Sequence, residues 1–150
     1  MTSLPLSLKG RALRALSMRE FTRAELATRL APYEEHAGQV QAVLDELQAK
    51  GFLDDVRAVQ SLIHRRASRL GTRRLVRELR GKGVGAELIA DAAQLLQASE
   101  LERAYQVWRR KFPAPPQDTA DRARHMRFLL ARGFDAAVVR RILGQFENED

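Results

Sequence analysis

The sequence contains no cysteine. Disulfides, thiolate metal sites and cysteine nucleophiles are therefore excluded, and we expect the protein to work in a reducing cytoplasm. No apolar run approaches the roughly 18 residues that a membrane-spanning helix needs, so no membrane association is expected. The first residues, Met1 to Leu8, are apolar over too short a distance and lack a basic start, so they do not predict a signal peptide.

Patterns of catalytic and metal-binding residues are also scarce. The three histidines fall in three separate helical regions and show no metal-ligand spacing: His36, His64 and His125. The loop from Gly81 to Gly85 superficially resembles a phosphate-binding loop, but no strand precedes it and the Gly-x4-Gly-Lys-Ser/Thr spacing is missing. Gly81 and Gly83 instead predict a helix C-terminus with positive φ. We therefore expect no enzyme activity, no metal and no cofactor.

Strand patterns are nearly absent, whereas apolar residues at helical spacing occur along the whole chain. Thr22 and Glu25 form a capping box, and Pro32 ends the helix that follows it. Tyr105 and Trp108 lie on an apolar stripe, so we expect them to be buried rather than free to stack on bases. The apolar stripes predict nine helices, around Leu13–Leu16, Leu26–Leu30, Val40–Leu47, Val56–Leu70, Leu75–Leu79, Ile89–Leu96, Leu101–Trp108, Met126–Leu130 and Val138–Phe146.

The apolar pattern repeats at shifts of 49 and then 50 residues. These shifts align five apolar columns: Leu30, Leu79 and Leu129; Val40, Ile89 and Val139; Val43, Ala92 and Ile142; Leu44, Ala93 and Leu143; and Leu47, Leu96 and Phe146. The turns Lys82-Gly83-Val84 and Arg132-Gly133-Phe134 also coincide. The sequence thus predicts an all-α protein made of three tandem three-helix repeats that form an elongated, curved helical solenoid. The expected repeats are 1–53, 54–98 and 99–150, the last with a Pro-rich loop at 112–117 and an acidic tail at 147–150.

The charge is strongly basic and unevenly distributed. Lys plus Arg number 26 against 19 Asp plus Glu, and 22 of the cations are Arg, whose planar guanidinium suits phosphates and carboxylates. Residues 57–82 hold nine cations and one acid, Glu78, whereas residues 86–102 hold four acids and no cation. Because like charges on one face repel, this segregation predicts an electrostatic partner, either nucleic acid or an acidic protein surface. A basic face that serves only solubility, or a genome that favours Arg codons, is the alternative. The pair Asp54-Asp55 predicts the start of a helix rather than a cation site.

Three runs of the sequence resemble the bacterial regulatory protein family RecX: Arg19 to Leu30, Val43 to Asp55, and Gly71 to Val84. The most specific part is Gly51-Phe-Leu-Asp-Asp55 followed by the basic helix pair. The resemblance implies an all-helical fold of three tandem three-helix repeats, in agreement with the repeat above. Where the family commonly has Arg-Phe-Ala after the acidic pair, this chain has Val56-Arg57-Ala58, so we expect Val56 or Val59 to fill the position of the lost aromatic.

The resemblance further implies a non-enzymatic negative modulator of the recombinase RecA, active in the regulation of homologous recombination, DNA repair and the SOS response. Such a protein binds in the helical groove of the RecA–DNA filament and inhibits ATP hydrolysis, strand exchange and co-protease activity. The implied partner is the RecA nucleoprotein filament, with weaker direct binding to single- or double-stranded DNA as a further expectation. The protein is expected to be a monomer.

From the charge pattern we expect the electrostatic contacts with RecA and DNA to come from eleven cations: Arg65, Arg66, Arg69, Arg73, Arg77, Arg80, Lys82, Arg109, Arg110, Arg124 and Arg127. Arg73, Arg77 and Arg80 share one helix face, opposite Leu75 and Leu79. Two other functions stay open. Residues 22–53 could form a helix-turn-helix-like DNA-binding regulator, although its recognition helix would carry Asp45 and Glu46. The chain could also be a non-enzymatic scaffold solenoid.

Overall fold

The computed structural model describes residues 5–144, and over that range it consists of nine α-helices, a single 3₁₀ helix and no strand. The α-helices are α1 (Leu8–Met18), α2 (Arg23–Leu30), α3 (Gln39–Ala49), α4 (Asp55–Arg66), α5 (Thr72–Gly81), α6 (Ala86–Ala98), α7 (Glu100–Lys111), α8 (Thr119–Ala131) and α9 (Ala136–Gly144). The all-α prediction is confirmed. The predictions for Met1 to Leu4, for Phe146 and for the acidic tail at 147–150 lie outside the described residues.

Helix starts follow the predicted capping chemistry. The Thr22 hydroxyl accepts the backbone N–H of Glu25, whose carboxylate accepts the N–H of Thr22, so the capping box is present. Asp54 and Asp118 cap α4 and α8 in the same way, each accepting an N–H from the first turn. Pro32 lies in the 3₁₀ helix Ala31–Tyr33 that directly follows α2.

The repeated apolar columns form the core. Leu30, Leu79 and Leu129 are buried at equivalent places, as are Val40, Ile89 and Val139. The cores are separate: one apolar cluster lies within α1–α3 and the residues up to Leu53, two lie within α4–α6, and one lies within α7–α9. The fold is therefore three tandem three-helix units, as predicted.

Several details differ from the sequence expectations. Helix α4 ends at Arg66, so Arg69 and Leu70 lie in the turn that follows it rather than on the helix. Val59 is buried whereas Val56 is exposed, so of the two residues only Val59 packs into the core. Of the two predicted positive-φ glycines, only Gly83 has one (+74°), because Gly81 still belongs to α5.

The aromatic residues of α7 follow the predicted pattern. Trp108 is buried and Tyr105 is half-buried, with their ring centroids 5.9 Å apart. Burial thus removes Trp108 from base stacking, whereas Tyr105 is only partly covered.

Neighbouring units are joined at helix ends. At the first joint, between α1–α3 and α4–α6, the Asp55 carboxylate accepts the N–H of Arg23, the first residue of α2, at 2.8 Å. The Thr22 hydroxyl donates to the carbonyl of Lys82 at the end of α5, at 2.6 Å. A free N–H at the start of α2 and a free carbonyl at the end of α5 are thus each satisfied by a side chain from the other unit.

The second joint, between α4–α6 and α7–α9, has hydrogen bonds at the equivalent helix ends one repeat later. The buried Glu100 carboxylate, the first residue of α7, accepts the N–H of Thr72, the first residue of α5, at 3.1 Å. Gly71 donates to the carbonyl of Arg132 at 2.8 Å, and Arg73 donates to that of Gly133 at 3.2 Å. The carboxylate cap and the contact between helix ends recur together, so each joint is a repeated feature of the fold.

Arg103 is a central contact of the second joint. Its guanidinium donates to the carbonyls of Ala67, Leu70 and Leu96 and to the hydroxyls of Ser99 and Thr72. The burial lowers the pKa of this guanidinium, which still carries its charge at neutral pH because Arg is effectively always protonated. One side chain therefore ties the ends of α4 and α6 to α7.

Candidate electrostatic interface

Helix α5 carries the predicted basic face. Arg73, Arg77 and Arg80 are exposed, while Leu75 and Leu79 on the opposite side are buried. Among the ion pairs that residues 5–144 form, none involves these three arginines. The face therefore presents uncompensated positive charge in a row along one helix.

Three of the eleven predicted cations have carboxylate partners instead. Arg66 pairs with Glu78 at 2.8 Å and Lys82 with Glu25 at 3.0 Å, and the exposed Arg124 pairs with Asp121 at 2.7 Å. Their positive charge is partly compensated within the protein, so they have less to offer a partner than the arginines of α5.

Glu25 is a shared acceptor. Burial raises the pKa of its carboxyl, but hydrogen bonds from the Thr22 backbone, Arg19 and Lys82 together hold that pKa below its ordinary value. The carboxylate is therefore ionised at neutral pH and neutralises cations of both α1–α3 and α4–α6.

The remaining predicted cations are exposed. Arg65 donates to the carbonyl of Ser61, Arg109 to the hydroxyl of Tyr105, and Arg110 to the carbonyl of Ser68. None of these bonds neutralises the guanidinium. Arg69 and Arg127 are exposed as well, so these five side chains have their charge available.

Some of the predicted cations meet in grooves at the two joints. The first-joint groove has a volume of about 380 Å³ and is lined by Arg19, Leu62, Arg65, Arg66, Glu78 and Lys82. The second-joint groove has a volume of about 280 Å³ and is lined by Arg69, Val107, Arg110, Lys111, Phe128 and Arg132. Each groove is walled by cations from both units that it separates.

Catalytic chemistry finds no support among the described residues. His125 is buried; its Nδ1 accepts the indole N–H of Trp108 at 2.9 Å, and its ring stacks on Phe112 with 3.6 Å between centroids. His36 and His64 are exposed. Residues 5–144 contain no group of three or more His, Asp or Glu side chains placed to hold a metal ion, and no helix there has the length and apolarity to cross a membrane.

The chain matches two models of RecX three-helix domains. The second three-helix domain of RecX matches residues 54–92, and the third matches residues 98–143. The chain belongs to the RecX family. The regulatory protein RecX of Leptothrix cholodnii is 50% identical over 144 residues, which cover 96% of this chain and 92% of that protein. The regulatory protein RecX of Ralstonia nicotianae is 50% identical over 139 residues, which cover 93% and 87%.

Solved structures show the same fold. The crystal structure of RecX from Lactobacillus salivarius has a TM-score of 0.78 at 18% identity, over 93% of this chain and 94% of that chain. The RecX fold is thus retained at a sequence identity too low to carry any statement about individual side chains.

Three lining cations of this RecX-family chain were missed in the sequence: Arg19, Lys111 and Arg132. Arg19 stands beside Glu20 and Arg132 lies in a turn, so a count of local charge does not single out these two, and only the contact between units brings them beside the predicted cations. Lys111 directly follows Arg109 and Arg110 and could have been found from that run. The signal that could have found them is their position at helix ends, since Lys111 ends α7 and Arg132 caps α8.

Proposed function

We propose that this chain is a non-enzymatic negative modulator of the RecA recombinase, acting as a cytoplasmic monomer. It binds in the groove of the RecA–DNA filament and inhibits ATP hydrolysis, strand exchange and co-protease activity. Membership of a family of regulatory proteins named RecX supports the regulatory role. The observation that carries the electrostatic part is the uncompensated row Arg73, Arg77 and Arg80 on α5.

The arrangement of the chain suits a long, charged groove. Three separately packed units, for which we propose the limits 1–53, 54–98 and 99–150, spread cations over several helices instead of one pocket. Each exposed ion pair contributes only about 0.2–1 kcal/mol. Several such contacts with filament carboxylates and DNA phosphates add to a useful affinity and a fast association. The inhibition should therefore weaken steeply as salt rises.

The test is RecA-catalysed ATP hydrolysis on single-stranded DNA, with the protein titrated below the RecA concentration. We expect hydrolysis to fall at substoichiometric ratios. Reversing two charges of the α5 row, with Arg73→Glu and Arg77→Glu together, should abolish the inhibition and leave the far-UV circular dichroism unchanged. The matched control is Arg140→Glu with Arg141→Glu, a second pair of exposed arginines on α9, which should still inhibit.

Two results would contradict the proposal. If the wild-type chain leaves hydrolysis unchanged at low salt, with RecA from the same cell, the regulatory role is wrong. If Arg73→Glu with Arg77→Glu inhibits as the wild type does, the α5 face is not the contact. Equal losses in this variant and in the α9 control would point to net charge rather than to a site.

The residues that the structure describes do not favour the helix-turn-helix alternative. Its recognition helix would be α3, where Asp45 is exposed and Glu46 is ionised. Hydrogen bonds from Lys9 and Lys50 lower the pKa of Glu46 to about 2. These carboxylates pair with Arg23, Lys9 and Lys50, and α3 itself carries no cation that could contact a phosphate. Within the described chain α4 follows Leu53 in place of a strand wing.

A further inference from the structure

The two joint grooves are copies of one site. In each, one cation comes from the connection between the first and second helices of the preceding unit: Arg19 or Arg69. Two come from the last two residues of the next unit's first helix: Arg65 and Arg66, or Arg110 and Lys111. The fourth is the cap of the next unit's second helix: Lys82 or Arg132. Four cations thus recur at four equivalent places.

The apolar floor and one further wall position recur as well. Leu62 and Val107 each lie four residues before the end of their helix, and each contributes to its groove. Glu78 and Phe128 each lie four residues before the capping cation. This last position is where the two copies differ, because a carboxylate lines one groove and a phenyl ring lines the other.

In the first groove, carboxylates of the protein itself form ion pairs with the cations. Glu78 binds Arg66 at 2.8 Å, and Glu25 binds Lys82 at 3.0 Å and Arg19 at 3.1 Å. All three distances lie within hydrogen-bonding range. The cations at these positions can thus bind oxyanions, and in the first groove they bind carboxylates of the protein itself.

The second groove has the cations without the carboxylates. Within residues 5–144, none of its four cations forms an ion pair. Lys111 and Arg132 lie 5.5 Å and 5.1 Å from the centre of the Phe128 ring. The position in α5 that matches Glu25, the third residue of the helix, is Arg74. Two acids are thus replaced by a ring and a further cation.

We infer that the second-joint groove binds phosphates of a nucleic acid strand, and that the first-joint groove is the same site held closed to nucleic acid by Glu25 and Glu78. Four cations around an opening of about 280 Å³ suit one phosphodiester group with its sugar. The nucleic acid backbone is favoured over an acidic protein because the Phe128 ring lines the groove beside the cations, where a base of the strand can stack on it. This inference concerns direct DNA contact only and needs no RecA.

The first test measures binding of the full chain to a fluorescein-labelled oligothymidylate, without RecA, over a range of salt concentrations. The variant Arg110→Gln with Lys111→Gln should bind about tenfold more weakly, and its slope of log affinity against log salt should fall by about 1.4, since each single-strand phosphate contact contributes about 0.7. The matched control is Arg140→Gln with Arg141→Gln, which removes the same charge outside both grooves and should stay within about threefold of wild type.

The second test opens the first groove. Glu78→Gln frees Arg66 from its carboxylate, so this variant should bind the oligonucleotide about threefold more tightly and raise the salt slope by about 0.7. Glu87→Gln removes one exposed carboxylate of α6 elsewhere and should leave both quantities unchanged. A gain of affinity cannot arise from misfolding, so this variant tests the inference even if the groove double variant proves unstable.

Two outcomes would overturn the inference. The double variants of α7 and α9 weaken binding equally, or Glu78→Gln behaves as Glu87→Gln does, and in either case only net charge matters. Failure of the RecA proposal is separate: a chain that does not inhibit RecA but loses strand binding on Arg110→Gln with Lys111→Gln supports the inference alone.

Discussion

Gly133 offers a direct test of the joint between the second and third units. Its φ is +92°, in the left-handed region, and a Cβ added there would lie 2.4 Å from Cβ and 2.7 Å from the backbone N of Arg74. Gly51 has a similar φ of +80° but nothing within 4 Å of such a Cβ. Both Gly133→Ala and Gly51→Ala therefore place alanine in a left-handed backbone conformation. Only Gly133→Ala also brings a Cβ into contact with Arg74.

The expected magnitudes follow from these two contributions. Left-handed backbone costs alanine about 1–2 kcal/mol, which Gly51→Ala should show alone. Gly133→Ala adds the cost of overpacking, about 1–3 kcal/mol, because the atoms it meets belong to the backbone and Cβ of a packed helix start. We expect the additional loss to be about 2 kcal/mol, which corresponds to a melting temperature about 4–8 °C below that of Gly51→Ala.

Denaturation followed by two signals measures this difference. The only tryptophan, Trp108, reports the third unit by fluorescence, while far-UV circular dichroism reports all helices. In Gly133→Ala the fluorescence transition should come at lower denaturant than the dichroism transition, because α7–α9 lose their support first. Equal midpoints for Gly133→Ala and Gly51→Ala would refute the role of this glycine in the joint.

Three further predictions concern buried polar contacts. Arg103→Met should lower the free energy of unfolding by about 2–4 kcal/mol in urea denaturation, since it leaves several carbonyls without donors, and Arg103→Lys should not restore it because Lys lacks the guanidinium fork. Burial lowers the pKa of His125 in the folded chain, so as the pH falls the unfolded chain binds the proton first, near pH 6.5. The free energy of unfolding should therefore be constant above that pH and decrease below it. His125→Gln should reduce this decrease in thermal melts followed by Trp108 fluorescence. Asp55→Ala should cost about 1 kcal/mol in thermal melts by removing the cap of Arg23, with a smaller loss for Asp55→Asn, which keeps an acceptor oxygen.

The cores and turns of the fold were predictable because burial leaves a local pattern. Apolar residues at helical spacing mark the face of each helix that packs inward, as Leu30, Leu79 and Leu129 show. The turn at Gly83 was predictable because its positive φ favours glycine. Gly81 was misjudged because a second glycine two residues earlier gives the same local signal while still belonging to α5.

The two grooves could not be predicted by comparing the sequence with itself at a single shift. The second helices of the last two units match at a shift of 50 residues, as Lys82 and Arg132 do, but the first helices match at 45, as Arg65 and Arg110 do. A comparison at a single shift therefore never aligns the four cations. The role of Arg103 was hidden for a similar reason, since its acceptors lie on other helix ends that only the joint brings near.

Helix dipoles alone do not account for the groove cations. The first helix of each unit ends in two of them, and cations near a helix C-terminus stabilise it by about 0.3–1 kcal/mol. That explanation applies equally to both joints, which use equivalent positions. It does not explain why Arg66 and Lys82 meet carboxylates at the first joint while the second joint has a phenyl ring and Arg74 at the matching places. If these cations served only to stabilise helix ends, carboxylates at both joints would be more favourable, because unpaired like charges repel. The charge left open at one joint is thus a cost to the fold, and the proposed binding of a phosphate strand would offset it.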